Sequence, residues 1–300
     1  MDRREFLRLL AIAGIASGPA ACAVGRRETK ADLYDAPPFG QARLLHFTDC
    51  HAQLLPVYFR EPNVNLGIGD AAGRPPHLVG ESLLEYAGVA PGTRFAHALS
   101  YLDFTDAARR YGRVGGFAHL KTLVDRLRAD VGDGNSLLLD GGDTWQGSGT
   151  AYWTRGKDMV GACNRLGVDV MTGHWEFTYR DSEVLENIEE FSGEFIAHNV
   201  RLTDDAIFEG APAFDEDSGH VFRPYTVRTV GGRNIAIIGQ AFPYTPIANP
   251  ARFIPDWTFG IRAAELQSLV DRIGEEDRPD AGVLLSHNGM EVDVKLAGVG

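Results

Sequence analysis

The chain has 300 residues, of which 44% are hydrophobic and 10% aromatic, so it can bury a large core in one α/β domain or two smaller ones. Its formal net charge of −12 leaves no basic surface for nucleic acid, and we expect no nucleic-acid partner. Three cysteines are too few for a disulfide framework. Stability is therefore expected to come from the core and from any bound metal.

The N-terminus has the pattern of an export signal. Arg3 and Arg4 precede an apolar run at residues 9–16, and small residues follow up to Ala23. The paired arginines favour the twin-arginine route to the periplasm over an ordinary secretory signal. A lipid anchor at Cys22 is disfavoured by Pro19, and the run is too short for a stable membrane span. We predict a signal at 1–23, a linker at 24–40 and one catalytic domain at 41–300.

Four short apolar runs each end at polar residues that are able to bind metal. Because the carboxyl ends of strands in an α/β sheet meet at one edge, these polar residues are expected to converge. The runs are residues 44–47, 136–140, 168–171 and 281–285, and the polar residues that follow them are Asp49 with His51, Asp143, His174 and His287.

Other patterns fill in the domain. The apolar spacing at residues 116–131 and 261–273 predicts amphipathic helices. Two strand-like runs around Gly231 and Gly232 predict a hairpin in a second sheet. Residues 56–113 have little periodicity and are interpreted as a long insertion, which is usually functional or disordered.

Each candidate ligand taken alone is more often structural, but their joint order is informative. The order Asp-x-His, Gly-Asp, Gly-His and His resembles the calcineurin-like metallophosphoesterases. The resemblance implies a two-sheet α/β/β/α sandwich. It also implies that Asp49 and His51 hold one metal, that Asp143 bridges, and that His174 and His287 hold a second metal.

Carboxylate and imidazole ligands without thiolate suit manganese, iron or zinc. Two such ions about 3.5–4 Å apart support hydrolysis at phosphate-like centres. The resemblance implies two manganese ions, with zinc or iron as alternatives.

One stretch departs from the exported 5′-nucleotidases of this superfamily, which read Gly-Asn-His-Glu-Phe-Asp and use the His and Asp as a pair on the leaving group. Here residues 173–178 read Gly-His-Trp-Glu-Phe-Thr, so Trp175 and Thr178 replace that pair. Tryptophan cannot protonate an alkoxide, which places nucleotidase chemistry in doubt. Trp175 and Glu176 are the candidate catalytic residues.

The motifs at residues 48–54, 141–147, 173–179 and 286–290 together resemble the SoxB family of thiosulfohydrolases. That resemblance implies a metal-dependent hydrolase that releases sulfate from a thiosulfate adduct on the C-terminal cysteine of a small sulfur-carrier protein. A 5′-nucleotidase-like phosphoesterase and a non-catalytic binding protein remain the alternatives.

Several residues near the motifs carry weaker expectations. Trp145, Tyr179 and Arg180 are candidate substrate contacts, with packing or solvation as the alternative. Cys50 is expected to point away from the metals, and His198 with Asn199 is expected to form core hydrogen bonds more often than to line the site. The superfamily's closing Gly-His-x-His motif is not found in the 300 residues. We therefore expect a sandwich incomplete at the C-terminus, with weak metal binding and little activity.

Overall fold

The chain divides into two compact units, Met1–Pro37 and Pro38–Gly300. The computed structural model describes residues 40, 42–58, 69–71, 73–75, 77–78, 80–93, 95–96, 108–110 and 112–298. The predicted signal and all of the predicted linker except Gly40 lie outside the described residues, as do parts of the predicted insertion, chiefly residues 59–68 and 97–107.

Strands and helices alternate along the second unit. The strands are β1 (Arg43–Phe47), β2 (Val57–Tyr58), β3 (Arg113–Val114), β4 (Ser136–Asp140), β5 (Val170–Met171), β6 (Glu194–Phe195), β7 (Arg201–Leu202), β8 (Tyr225–Val230), β9 (Arg233–Gln240), β10 (Trp257–Thr258) and β11 (Ala281–Ser286). The α-helices are α1 (Gly80–Ala87), α2 (Phe117–Ala129), α3 (Gly149–Thr154), α4 (Lys157–Leu166), α5 (Asp181–Glu190), α6 (Asp204–Glu209), α7 (Thr245–Ala248), α8 (Ala263–Glu276) and α9 (Met290–Ala297). Short 3₁₀ helices cover Gly69–Ala71, Trp175–Thr178 and Ala251–Phe253.

The first sheet is parallel and has the order β1-β4-β5-β6. Its central strand β4 is buried on both faces, as its continuous apolar sequence requires. Successive side chains of a strand point to opposite faces, so Leu138 packs with the helices while Leu137 and Leu139 pack on the other side.

The second sheet has the order β11-β9-β8. β8 and β9 form the predicted antiparallel hairpin, which turns at Gly231 and Gly232, whereas β11 joins β9 in parallel. Smaller two-stranded pairs join β2 to β3 and β7 to β10.

The two sheets and the helices form four layers with three apolar contact zones. One cluster joins the first sheet to the second through side chains such as Leu139 and Ile237. A second cluster packs the outer face of the second sheet against α8 through Ile238 and Leu269. The largest cluster packs the first sheet against its own helices. This is the predicted α/β/β/α sandwich.

Aromatic rings fill the centre of the largest cluster. The Phe177 ring has no exposed surface and lies 5.0–6.2 Å, between centroids, from four other rings, which belong to Phe195, Phe222, Trp257 and Phe259. Three of these pairs are edge-to-face and the Phe177–Phe222 pair is stacked, and aromatic pairs of both kinds stabilise the core beyond the area that they bury.

Two sequence predictions are refined by the structure. The third apolar run forms a strand only over Val170–Met171, and the side chain of Asp169 just before it accepts a hydrogen bond from the Leu138 amide. The predicted insertion contains helix α1, whose Leu84 is buried. Within the described residues, none of the helices has the length and apolarity needed to cross a membrane.

The aromatic core predicts a strong difference between two phenylalanine substitutions. Phe177→Ala should lower the free energy of unfolding by about 3–5 kcal/mol, because it removes a fully buried ring and leaves a cavity. Phe208→Ala is the matched control, since Phe208 is 91% exposed and should change stability by less than about 0.5 kcal/mol. Urea denaturation of both variants measures the difference, and equal losses would contradict the packing.

Candidate metal centre

The five predicted ligands meet at the carboxyl ends of the strands. They form two groups of three, in each of which the ligand atoms lie within 4.8 Å of one another. One group contains Asp49, His51 and Asp143, and the other contains Asp143, His174 and His287. The shared residue is Asp143, so the arrangement matches the predicted bridging carboxylate between two sites.

The loops after β1 and β4 continue to pair beyond the sheet. The amides of Asp49 and His51 donate to the carbonyls of Gly142 and Asp143 at 3.0 and 2.9 Å. Gly147 then passes so close to His51 that a Cβ atom on the glycine would lie 2.4 Å from the His51 carbonyl oxygen. This contact requires glycine, and it brings the two ligand-bearing loops together.

Three of the five candidate ligands adopt left-handed backbone angles. The φ values are 55° for Asp49, 47° for His51 and 58° for Asp143. Residues with a Cβ atom avoid this region unless the surroundings impose it, and such strain is concentrated at functional sites. The pairing of the two loops imposes it here.

The carboxylate of Asp143 is buried yet incompletely satisfied. Its Oδ2 lies 3.1 Å from Nδ1 of His174 and 3.4 Å from Nε2 of His51. Its Oδ1 has no hydrogen-bond partner among the described residues. A buried carboxylate oxygen without a donor is costly unless a cation compensates it, so the residues present fit a metal ion.

His287 is oriented by a hydrogen bond at the far side of its ring. Its Nδ1 lies 2.7 Å from the carbonyl oxygen of Gly141. A carbonyl oxygen only accepts, so Nδ1 carries the proton and the lone pair resides on Nε2. That Nε2 lies 3.6 Å from Oδ1 of Asp49 and is available as a metal ligand.

Glu176, a predicted catalytic residue, has a structural position instead. Its side chain is fully buried, and each carboxylate oxygen accepts two backbone hydrogen bonds. Oε1 accepts from the amides of Thr144 and Trp145, and Oε2 accepts from those of Asp143 and His174. All of its hydrogen bonds go to the loops that hold the ligands, so Glu176 positions the centre.

Trp175, the other predicted catalytic residue, begins the short helix that follows His174. Its ring centroid lies 5.1 Å from that of His174, so it stands beside the second group. The hydroxyl of Thr178 donates to the Trp175 carbonyl at 2.7 Å, which stabilises the short helix. The two residues that replace the nucleotidase His–Asp pair therefore interact through the backbone.

The predicted substrate contacts are not all on the surface. Trp145 has no exposed area and packs against Phe191 and Phe195, which corrects its expected role from substrate contact to core packing. Tyr179 is 3% exposed, and its hydroxyl donates to backbone carbonyls, so it also belongs to the core. Arg180 is exposed at the start of α5, where a substrate role stays a prediction.

Phe242 is a neighbour that the sequence pattern did not indicate. Its ring centroid lies 4.1 Å from that of His174, and its amide donates to the Gly173 carbonyl. It lies two residues after the end of β9, a strand that carries none of the five predicted ligands. The sequence signal that could have indicated Phe242 is its position just after β9, because β9 pairs with β11 and β11 precedes His287.

Burial raises the pKa of two ionisable groups near the centre. Burial raises the pKa of the Cys50 thiol to about 12, so this residue supplies no thiolate and is not a nucleophile at neutral pH. Burial also holds the pKa of Asp140 well above its usual range. Its Oδ1 accepts hydrogen bonds from the Gly142 amide and the Thr144 hydroxyl, which helps to fix the glycine turn before Asp143.

The Glu176 contacts predict a large effect of a small change. Glu176→Gln should lower the free energy of unfolding of the metal-free protein by about 3 kcal/mol, because the new NH₂ group opposes two buried backbone donors. Glu189→Gln, at an exposed position on α5, is the control. Urea unfolding of both proteins measures the effect, and equal stability would exclude the positioning role.

Comparison with known proteins agrees with the site. No family model matches the chain. The sulfate thiohydrolase SoxB from Thermus thermophilus is 39% identical with a TM-score of 0.75, and the match covers 88% of this chain and 47% of that one. The 5′-nucleotidase of Rattus norvegicus is 31% identical over 189 residues, which cover 61% of this chain and 30% of that protein.

A 5′-nucleotidase precursor from Thermus thermophilus shares the fold, with 23% identity, a TM-score of 0.57 and coverage of 85% of this chain and 39% of that one. The chain thus spans less than half of each of these three relatives. The strand order, the two Asp/His groups and these similarities agree, and the chain is a SoxB-like member of the 5′-nucleotidase and calcineurin-like metallophosphoesterase superfamily.

Proposed function

We propose that the chain belongs to an exported thiosulfohydrolase that releases sulfate from a thiosulfate adduct on the C-terminal cysteine of a small carrier protein. The observation that carries this proposal is the occupation of the usual His–Asp positions by Trp175 and Thr178, beside a centre that otherwise keeps its Asp and His ligands. The similarity to SoxB supports it. Export by the twin-arginine route to the periplasm is part of the proposal and rests on residues 1–23.

The proposed cofactors are two manganese ions, with zinc or iron as alternatives. Asp49 and His51 would hold one ion, His174 and His287 the other, and Asp143 would contact both. Such a pair supplies a hydroxide nucleophile near neutral pH and offsets the negative charge that develops on the substrate oxygens. Mixed oxygen and nitrogen ligands suit these metals.

The proposed reaction breaks one sulfur–sulfur bond. Hydroxide attacks the sulfonate sulfur of carrier–S–S–SO₃⁻, and a new S–O bond forms. The bond between the sulfonate sulfur and its neighbour breaks, and that neighbour leaves with the electron pair as the carrier persulfide anion. The products are hydrogen sulfate and the persulfide, so no oxidant or reductant is consumed.

The leaving group explains why the His–Asp pair is dispensable. A thiol has a pKa of about 8.5, so a sulfur anion leaves near neutral pH without a proton donor. An alkoxide is far more basic and needs general-acid help, which contributes about 10²–10⁴-fold to rate. The indole of Trp175 has no lone pair to relay a proton, yet its ring gives an apolar wall beside His174.

The proposal predicts which product is released. Protein isolated from its own host with Mn²⁺ should release sulfate from a peptide whose C-terminal cysteine bears thiosulfate, and it should not release phosphate from AMP. Phosphate without sulfate would establish a nucleotidase, and neither product from a protein with bound metal would establish a non-catalytic binding protein.

Asp143→Asn should reduce sulfate release more than about 100-fold, because it removes the shared ligand. Asp133→Asn, at an exposed position, is the control.

Restoring the His–Asp pair should give the protein phosphatase activity. The double change Trp175→His and Thr178→Asp should raise phosphate release from AMP at least about tenfold, since it restores a proton donor for an alkoxide. Trp153→His is the control, because Trp153 is 77% exposed on α3. Phosphate assays on the metal-loaded proteins decide the point. An unchanged rate, with the fold retained by circular dichroism, would count against the rationale.

A further inference from the structure

Behind the metal centre lies a chain of buried amide and imidazole groups to which the proposed reaction assigns no role. It joins His198 after β6, Gln240 at the end of β9 and Asn288 after β11, which are 1%, 0% and 6% exposed. Three polar side chains this deeply buried are retained only when their hydrogen bonds are satisfied. Here His198 is hydrogen-bonded to Gln240, and Gln240 is hydrogen-bonded to Asn288.

The hydrogen bonds run in one direction. Nε2 of His198 donates to the side-chain oxygen of Gln240. The Gln240 amide nitrogen donates to the side-chain oxygen of Asn288 at 3.0 Å, and the Asn288 amide nitrogen donates to Asp293 at 2.9 Å. The chain ends on a carboxylate, which only accepts, so reversing either amide would place donor against donor.

The same groups enclose the loop that carries His287. The His287 amide donates to the backbone carbonyl of Gln240 at 2.9 Å. On either side, the Ser286 hydroxyl donates to Asp293 and accepts from the Asn288 amide. The residues before and after His287 are thus fixed to Asp293, and its own backbone is fixed to Gln240.

The ring of His287 is oriented by its Nδ1 hydrogen bond to Gly141, and it lies beside the ring of His174 at 4.5 Å between centroids. Because Gly141 directly follows β4, this hydrogen bond depends on the height of the His287 loop above that strand. Burial lowers the pKa of His198 to about 4, so its ring is neutral at the pH of the cell and acts as a fixed donor instead of a charge. The hydrogen bond from His198 to Gln240 is therefore insensitive to pH near neutrality.

We propose that His198, Gln240 and Asn288 are positioning residues that fix the height and tautomer of His287, so that its Nε2 faces the second metal site. The role of His287 as a ligand rests on the proposed function. The positioning itself is a property of the metal-free protein. The juxtaposition that carries the inference is the buried hydrogen-bond chain that meets the His287 loop at its backbone and at both neighbours.

The test uses a pair of substitutions that separates hydrogen bonding from packing. His198→Gln keeps a donor at the position of Nε2, whereas His198→Met fills similar space without one. Long-range ¹⁵N spectra of the metal-free proteins report the tautomer of each of the nine histidines, and His287→Gln assigns the signal. Wild type and His198→Gln should show one Nδ1-protonated form of His287, and His198→Met should show averaged nitrogen shifts.

Asn288→Asp is the second variant, because it breaks the chain next to the loop while leaving the deepest positions unchanged. It should also give averaged shifts and faster amide exchange at His287. Averaging in both variants supports the positioning role. A single Nδ1-protonated form in both folded variants would overturn it.

Metal titration separates this inference from the proposed function. With Mn²⁺ as the probe, wild-type protein isolated from its own host should bind two equivalents, and its His198→Met variant should bind the second at least tenfold more weakly while the first changes less than twofold. Two equivalents bound with unchanged affinity by His198→Met would overturn the positioning role and leave the function intact. Failure of wild type to bind a second equivalent would overturn the metal centre, while the tautomer spectra would still decide the positioning.

Discussion

The carboxylate of Glu176 is the constraint on which the centre depends. Its two oxygens accept hydrogen bonds from the backbone amides of four residues. These residues belong to the loops that follow the adjacent parallel strands β4 and β5. One of these is the amide of Asp143, whose side chain is thereby directed at the histidines. The backbone of that ligand is fixed while its carboxylate stays available, which is what preorganised metal binding requires.

The two sheets contribute to the centre in different ways. The first sheet supplies Asp49, His51, Asp143 and His174 from neighbouring parallel strands, so their spacing follows from the sheet itself. His287 follows β11 in the second sheet, and it reaches the loops of the first sheet through its hydrogen bond to Gly141 and its contacts with His174 and Asp49. Its position therefore depends on how the two sheets pack and on the hydrogen bonds that hold its loop.

The sequence predicted the sheets, the hairpin and the five converging ligands, because apolar runs and their polar ends are local patterns. The roles of Glu176 and Trp145 were not predictable in the same way. Glu176 acts through long-range backbone contacts, and Trp145 lies just after a ligand although its ring is turned into the core. Phe242 and Gln240 were missed because their partners come from distant parts of the chain. Position in the sequence indicates a strand end but not the direction of each side chain.

The loop that carries Trp175 and Thr178 keeps its frame through hydrogen bonds to its backbone. The Thr178 hydroxyl donates to the Trp175 carbonyl, and the Glu176 carboxylate between them holds the loop to its neighbours. The Trp175 ring lies beside His174, whereas the side-chain hydrogen bonds that hold the loop come from Glu176 and Thr178. The residue at position 175 can therefore change without breaking the hydrogen bonds that hold the candidate ligands. The proposed thiosulfohydrolase requires this of the loop, because it needs the ligands in place but no proton donor at position 175.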